Sequence, residues 1–208
     1  MAEQQRLRGP YAKGVAKRDE ILERALEVIA REGYRGASVK ELAEAVGLSQ
    51  AGLLHYFDSK EELFTEILRK RDEVDIAEQD LVGDEPADLR AAYLAVIRHN
   101  AEVPGLVQLF ARLSVDATDP AHPAHRFFIE RGVGLRTFFA SAIADRQATG
   151  AITDRIDADT LARIVHAVVD GMQVQWMLEP DVDMAATVEA LFELLSPAPG
   201  EGVSRTSN

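Results

Sequence analysis

Histidines are the residues of this 208-residue chain whose type suits acid–base catalysis or metal binding. His122, His125 and His166 are the candidates. Pro123 follows His122 directly and breaks the i, i+4 helical spacing of a two-histidine metal site, and no carboxylate pair stands at a fixed spacing beside these residues. The chain also contains no cysteine that could supply a thiolate. We therefore expect surface histidines, no catalytic residues and no bound metal.

Glycine-rich sequences that could bind a cofactor have the wrong context. Gly132 and Gly134 flank Val133, but no strand precedes them, so close helix packing explains them better than a dinucleotide site does. The sequence has neither a Gly-x-x-x-x-Gly-Lys-Ser phosphate-binding loop nor a Gly-x-Ser-x-Gly nucleophile turn. It therefore predicts a protein with no cofactor and no enzymatic activity.

Residues that suit contact with a nucleic acid cluster in one short stretch. They are Gln50, Ala51, Gly52, His55, Tyr56 and Lys60. The glutamine can hydrogen-bond to base edges, and the two small residues after it permit close approach to a groove. The histidine, tyrosine and lysine can donate to phosphates. Taken singly, the two aromatic residues could instead be surface caps, and the glutamine could be a polar helix start.

Capping signals place this stretch on a helix-turn-helix. Ser38 and Glu41 form a capping box that opens a helix, and Gly47 ends that helix after two turns. Ser49 caps the next helix, so the motif spans residues 38–57. In such a motif the second helix enters the major groove of DNA with its first residues against base edges.

A longer helix is predicted on each side of the motif. The first runs from about Val15 to Glu32 and stops at Gly33, where a left-handed cap is needed. A second capping box, from Ser59 to Glu62, opens the helix that follows the motif.

The charge distribution allows DNA contact at one end of the chain. The formal net charge is −12, but residues 1–71 hold 13 Lys and Arg against 12 Asp and Glu, whereas residues 72–208 hold 10 against 23. Five bases and one acid fall within residues 1–18, which indicates a flexible basic arm at residues 1–14. A solvated tail is the alternative. The acidic remainder is not expected to contact phosphate.

The stretch from Gly33 to Phe64 resembles the DNA-binding head of the TetR family of bacterial transcriptional regulators. The shared pattern is S-V-x-E-L-A-x-x-V-G-L-S followed by F-x-S-K-E-E-L, and the close match covers residues 15–68. The remainder is similar to the family in size and helical pattern. The resemblance implies a homodimeric repressor that is released from a double-stranded DNA operator by a small-molecule effector.

The resemblance also implies roles for single residues. Ser38 and Lys40 would contact phosphates, the residues at 50–52 would face bases, and Tyr56 and Lys60 would anchor the DNA backbone. The full candidate DNA-binding set is Ser38, Lys40, Ser49, Gln50, Ala51, Gly52, His55, Tyr56 and Lys60. Many family members carry tyrosine where this chain has Leu54, so we expect Tyr56 or a neighbouring histidine to replace part of that contact.

The acidic part of the chain is predicted to be helical throughout. The expected helices are 87–102, 104–117, 122–149, 158–179 and 184–196. The last two are the most apolar, and in the resembled family such a pair forms a four-helix bundle with its twin. The candidate dimer-interface residues are Ile164, Val168, Trp176, Val188, Leu191 and Leu195. A purely intramolecular core is the alternative.

Aromatic and methionine side chains on these helices could line a ligand pocket. The candidates are His99, Phe110, Phe128, Arg131, Met172 and Trp176. Arg112 and Gln173 are further polar residues that could orient a ligand. The apolar lining favours a hydrophobic or amphipathic ligand, although the same aromatic residues could equally form the core.

These observations predict an all-α chain of about nine helices. We divide it into an arm at 1–14, a three-helix DNA-binding domain at 15–60, a ligand-binding and dimerisation domain at 61–196 and a disordered tail at 197–208. The predicted function is a cytoplasmic, sequence-specific DNA-binding regulator with no membrane association. The alternative is a helical small-molecule-binding protein or enzyme whose helix-turn-helix is vestigial.

Overall fold

The computed structural model describes residues 2–78 and 89–196, and these residues form an all-α fold, as predicted. Nine helices occur within the described residues. They are α1 (Ala2–Gly36), α2 (Val39–Ala45), α3 (Gln50–Leu54), α4 (Lys60–Glu78), α5 (Leu89–Glu102), α6 (Pro104–Asp116), α7 (His125–Ala148), α8 (Ala158–Leu178) and α9 (Met184–Leu195). The chain forms two compact units, of which the first contains the described residues up to Glu78 together with Glu102–Phe127.

The first unit is larger than the predicted DNA-binding domain. Helix α1 packs against α2, α4 and α6, although the predicted boundary placed α4 and α6 in the regulatory domain. The reason is the apolar face of each helix: Ile67 of α4 and Val107 of α6 are fully buried, as is Ile29 of α1. Residues 102–127 therefore belong with the helix-turn-helix, and the predicted division after residue 60 does not match the compact units.

Helix α1 begins earlier than predicted. It starts at Ala2, so the segment at 1–14 that was expected to be a flexible arm is helical from its second residue. The physical reason is composition, because residues 2–8 are Ala, Glu, Gln, Arg and Leu, all good helix formers. The predicted stop at Gly33 is confirmed: this residue has φ 75° and ψ 167°, which interrupts the helical backbone before a last turn reaches Gly36.

Helix α6 approaches α1 closely at Gly105. A Cβ atom at this position would lie 2.3 Å from the carbonyl oxygen of Ile29 and 2.7 Å from Cα of Gly33. Only glycine permits this backbone contact. Close packing was predicted instead at Gly132 and Gly134, but the single chain shows none there: apart from the chain neighbours and the nearby backbone of α7 itself, no described atom lies within 4 Å of where a Cβ would stand at either glycine.

The second unit contains the described part of 79–101 and residues 128–196, and two apolar clusters form its core. The first cluster joins α5, α8 and α9 through Leu94, Ile97, Val169, Met172, Met184, Ala185 and Val188. The second joins α7 and α8 through Phe139, Ile143, Ile152, Leu161 and Ala162. Tyr93 of α5 packs against both clusters, and its ring centroid lies 4.7 Å from that of Phe139.

Two predictions fall partly outside the described residues. The tail at 197–208 and the start of the helix predicted at 87–102 lie there. Within the ranges 2–78 and 89–196, no helix combines the length and the apolar character needed to cross a bilayer.

Candidate nucleic-acid interface

The start of α2 is fixed by the predicted capping box. The Ser38 hydroxyl oxygen accepts from the Glu41 backbone N–H at 3.3 Å, and the Glu41 carboxylate accepts from the Ser38 N–H at 2.7 Å. Because the Ser38 side chain and then its N–H hydrogen-bond to the ionised form, the pKa of Glu41 is lowered from its ordinary value. The box therefore holds α2 most firmly when Glu41 is charged.

The turn between α2 and α3 depends on Gly47. Its φ of 69° lies in the left-handed region that favours glycine. Its N–H donates to the Glu44 carbonyl at 3.1 Å, and the Leu48 N–H donates to the Ala43 carbonyl at 2.9 Å. Carbonyls at the end of α2 are thereby satisfied, and only four residues separate α2 from α3.

Helix α3 begins at the predicted cap. The Ser49 hydroxyl accepts from the Gly52 N–H at 3.0 Å. A Cβ at Gly52 would stand 3.1 Å from that same oxygen, so glycine at this position leaves room for the Ser49 side chain to cap the helix. Leu53 is fully buried, and because it lies on the side of α3 opposite the exposed Ala51, its packing fixes which side of the helix faces outward.

The predicted DNA-binding residues lie on the surface of α2, α3 and the start of α4. The exposed ones are Ser38, Lys40, Ser49, Gln50, Ala51, His55 and Lys60. Gly52 and Tyr56 are half-buried, as is Leu54, the position where a family tyrosine is replaced. The Tyr56 ring stands edge-on to that of His55, with 6.1 Å between centroids. The structure thus presents all nine candidates on neighbouring elements of one unit.

The start of α4 differs in one detail from the predicted second capping box. The Ser59 hydroxyl accepts from the Glu62 N–H at 3.0 Å, as expected. The Glu62 carboxylate, however, accepts from the N–H of Asp58 at 2.7 Å rather than from that of Ser59. Lys60, the first residue of α4, is exposed, and its Nζ lies 5.6 Å from the Phe64 ring centroid. Within the described residues no carboxylate forms an ion pair with this lysine.

Two of the basic side chains that give residues 1–71 their positive charge form ion pairs inside the first unit. Arg18 lies over the Phe57 ring and within 3.1 Å of a Glu62 carboxylate oxygen. Lys70 donates to Asp19 at 2.6 Å, and Asp19 is the first cause of a raised pKa at Lys70. These residues stabilise the head, and the sequence offered no signal for their pairing because the partners lie 44 and 51 residues apart.

The histidines have structural partners. Nδ1 of His122 accepts from the Ala124 N–H at 3.2 Å, and Nδ1 of His125 lies 2.8 Å from the Ala117 carbonyl oxygen. Nε2 of His166 lies 3.2 Å from Oδ2 of Asp170, within α8. Over the described ranges, no group of three or more His, Asp or Glu residues is arranged to hold a metal ion.

The predicted pocket residues are divided between the two units. Phe110 is buried on α6 of the first unit, whereas His99, Phe128, Arg131, Met172 and Trp176 lie in the second. Met172 and Trp176 belong to the cluster of α5, α8 and α9. Arg112 also lies in the first unit, with Cζ 5.4 Å from the Tyr34 ring centroid.

The predicted dimer residues differ in exposure. Val188 is completely buried in the core of the second unit, so it offers no area to a partner. Val168 and Trp176 pack against the same cluster, Leu195 packs against the second cluster, and Leu191 is half-buried. The large exposed apolar side chains of α8 and α9 are Ile164, Val174, Leu178 and Leu194.

Two models of protein families match the chain. Residues 21–67 match the model described as bacterial regulatory proteins, tetR family. Residues 87–195, just over half of the chain, match the model of the BetI-type transcriptional repressor C-terminal domain.

Similar proteins are transcriptional regulators. The repressor AcnR of Corynebacterium efficiens is 45% identical over 58 residues, which are 28% of this chain and 31% of that relative. The regulator PksA of Bacillus subtilis is 27% identical and the match covers 79% of this chain and 80% of that protein.

Solved structures show the same fold. A TetR-family regulator from Agrobacterium tumefaciens superposes with a TM-score of 0.68 at 23% identity, over 88% of this chain and 100% of that one. A transcriptional regulator from Saccharomonospora viridis, solved in complex with choline, has a TM-score of 0.64 at 25% identity, over 86% of this chain and 95% of that one.

Proposed function

The chain belongs to the TetR family of DNA-binding transcriptional regulators, and from that premise we propose that it is a homodimeric repressor released from a palindromic operator by a small molecule. We place its action in the cytoplasm, where bacterial DNA lies. The observation that carries the proposal is the outward face of the helix-turn-helix, on which every candidate contact residue has accessible surface.

Base contacts come from the start of α3. Gln50 is exposed at the first residue of this helix, and its side-chain amide can pair with a base edge. Ala51 beside it is exposed and small, so the helix start can approach the floor of the major groove. Leu53 is fully buried and lies on the side of α3 opposite Ala51, so its packing fixes Ala51 on the outward side of the helix.

Phosphate contacts come from the residues around α3. Lys40 is exposed, and its ion pair with Glu44 is long, at 3.9 Å, so the ammonium group can reach a phosphate. Lys60 is exposed at the first residue of α4, where the helix N-terminus also favours an anion. These contacts supply affinity and position the helix but do not distinguish between base sequences.

A second copy of the chain would cover the exposed apolar face of the last helices. Ile164, Val174 and Leu178 lie on the outer side of α8, and Leu194 of α9 is 82% exposed. Such a face is costly to leave in water and suits an isologous contact in a symmetric dimer. Two recognition helices related by a two-fold axis would contact half-sites about 34–36 Å apart.

Release by an effector requires that the ligand bind more tightly to a conformation that does not fit the operator. Support for a small-molecule site comes from the family, from the apolar helices of the second unit and from the relative that was solved with choline.

The test is retardation of the DNA that lies upstream of the chain's own gene. We expect a complex that survives excess competitor DNA, is absent with a scrambled fragment of equal length, and weakens by at least about tenfold between 50 and 200 mM salt. Equal retardation of both fragments, or an affinity that does not change with salt, would exclude a sequence-specific DNA-binding function.

A further inference from the structure

A polar stripe runs along one face of α8 in the second unit. His166, Asp170 and Gln173 occupy positions i, i+4 and i+7, which lie above one another on an α-helix. His166 and Asp170 satisfy each other through the 3.2 Å contact between Nε2 and Oδ2. Gln173 is only 8% exposed, and its Oε1 has no hydrogen-bond partner.

The surroundings of Gln173 are apolar. Val169, one turn before it, and the adjacent Met172 are buried in the cluster that joins α8 to α5 and α9. Trp176, three residues later, packs against the same cluster. A buried acceptor without a donor destabilises a protein, whereas a leucine or methionine of similar size would not. The amide is therefore a polar group that a donor from outside the chain would satisfy.

Helix α5 packs beside this stripe. Leu94 and Ile97 of α5 share the cluster with Val169 of α8, so α5 faces the same side of α8. Burial and then the negative charge of Asp170 raise the pKa of the Tyr93 hydroxyl on α5, while the positive charge of Arg131 on α7 lowers it. Charges of both signs therefore act near Tyr93, and neither an anionic nor a cationic ligand is favoured by charge alone.

We propose that the effector of this regulator is an apolar molecule carrying an N–H or O–H hydrogen-bond donor, and that Gln173 Oε1 accepts this hydrogen bond. The inference rests on the proposed function, because it assigns the recognition residue for the effector. A ligand with acceptors only, such as a carboxylate, could accept from the Gln173 amide N–H but would leave the buried Oε1 without a donor. One neutral hydrogen bond gives about a two- to tenfold preference for a donor-bearing ligand.

The experiment compares two probes of nearly equal shape. Indole carries an N–H donor, and benzofuran has an oxygen acceptor in its place. Their dissociation constants are measured by calorimetry or ligand-observed NMR at millimolar concentration on the full chain, on Gln173→Met and on Gln175→Met. Gln175 is exposed on the same helix and provides the matched control.

We expect the wild type and Gln175→Met to bind indole about two- to tenfold more tightly than benzofuran, and Gln173→Met to bind the two equally. Gln173→Met should also melt at a higher temperature than the wild type, because it removes the unsatisfied acceptor. Equal affinities in the wild type, a preference that persists in Gln173→Met, or no binding of indole at all would overturn the inference. The binding measurement uses no DNA, so failure of the protein to repress would leave the proposed role of Gln173 standing. Conversely, if benzofuran released the protein from DNA as effectively as indole, the role of Gln173 would be excluded while the DNA-binding function would stand.

Discussion

The guanidinium group of Arg18 lies over the ring of Phe57, with Cζ 4.7 Å from the ring centroid. The same group is 3.1 Å from a Glu62 oxygen and 3.3 Å from a Glu66 oxygen. Arg18 belongs to α1, Phe57 follows α3, and the two acids belong to α4. One side chain thereby joins the supporting helices to the end of the helix that we propose to contact bases.

Replacing Arg18 should destabilise the first unit. Arg18→Ala removes a cation–π contact and two partly exposed ion pairs, which together contribute about 1–2 kcal/mol after allowance for solvent screening. Chemical denaturation measures the loss. Arg24→Ala is the control, since among the described residues Arg24 forms an ion pair only with the exposed Glu27 on the same helix, and its replacement should change stability by less than about 0.5 kcal/mol. Equal effects of the two substitutions would contradict the role of Arg18.

Adding a methyl group at Gly105 should be costly. Gly105→Ala would push a Cβ to 2.3 Å from a backbone oxygen of Ile29, and because backbone cannot rotate away, we expect a loss of about 1–3 kcal/mol or more. Gly132→Ala is the matched control in α7, where no described atom outside the adjacent residues and the nearby backbone of α7 lies within 4 Å of the added Cβ, and helix propensity favours alanine by about 1 kcal/mol. Thermal unfolding of the two variants should shift in opposite directions.

The capping box of α2 should make stability depend on pH. The lowered pKa of Glu41 means that its contribution is present above the ordinary value of 4.5 and is lost as the pH falls through the folded value. Wild type should therefore be more stable than Glu41→Gln at pH 7, and the difference should shrink towards about pH 3. The pKa of Asp157 is also lowered, but Asp157 is present in both proteins, so its contribution cancels in the stability difference between them. A difference that stays constant with pH would rule out the charged cap.

Single substitutions should separate base contact from phosphate contact. Gln50→Ala should reduce the preference for the operator over scrambled DNA by about 1–3 kcal/mol. Lys60→Ala should weaken binding to both DNAs alike, and it should reduce the slope of log K against log salt concentration by about one unit. Both effects are measured by fluorescence anisotropy over a range of salt concentrations.

A third lysine serves as the control for this DNA experiment. Lys70 is held by Asp19 and Glu23 in the first unit, so Lys70→Ala should leave affinity and salt slope unchanged provided that the protein folds. If Lys60→Ala and Lys70→Ala behaved alike, the proposed contact at the start of α4 would be wrong.

A charge on the exposed face of α8 should prevent dimerisation. Leu178 is 78% exposed in the single chain, so Leu178→Asp should leave folding intact. In the proposed dimer the same substitution would bury a carboxylate in the contact between the two copies. Sedimentation velocity should show a shift to monomer. Val115→Asp, at a similarly exposed apolar residue of α6, should leave the oligomeric state unchanged. A dimer that tolerates Leu178→Asp would exclude this face.

Local chemistry made much of the fold predictable. The Ser38–Glu41 box, the Ser49 cap and the turn at Gly47 depend on residues only a few positions apart, and all are present as predicted. Proline and glycine signals likewise placed the ends of α6 to α9 within a few residues.

Contacts between distant residues were not predictable. Nothing near Gly105 in the sequence identifies Ile29 as its neighbour, and nothing near Val188 distinguishes a core position from an interface position. Gln173 was recognisable as polar on an apolar helix, but its lack of a partner became visible only once the neighbouring helices were in place. Tertiary packing determines all three.

The inclusion of α6 in the first unit affects how this protein could be dissected or recombined. The chain passes between the units three times, after residues 78, 101 and 127, so neither unit is one continuous segment. A fragment ending at Glu78 would lack the buried residues of α6, including Val107 and Leu109, and would expose the face of α1 that they cover. A chimaera that keeps this operator specificity must therefore carry residues 102–127 along with the first 78.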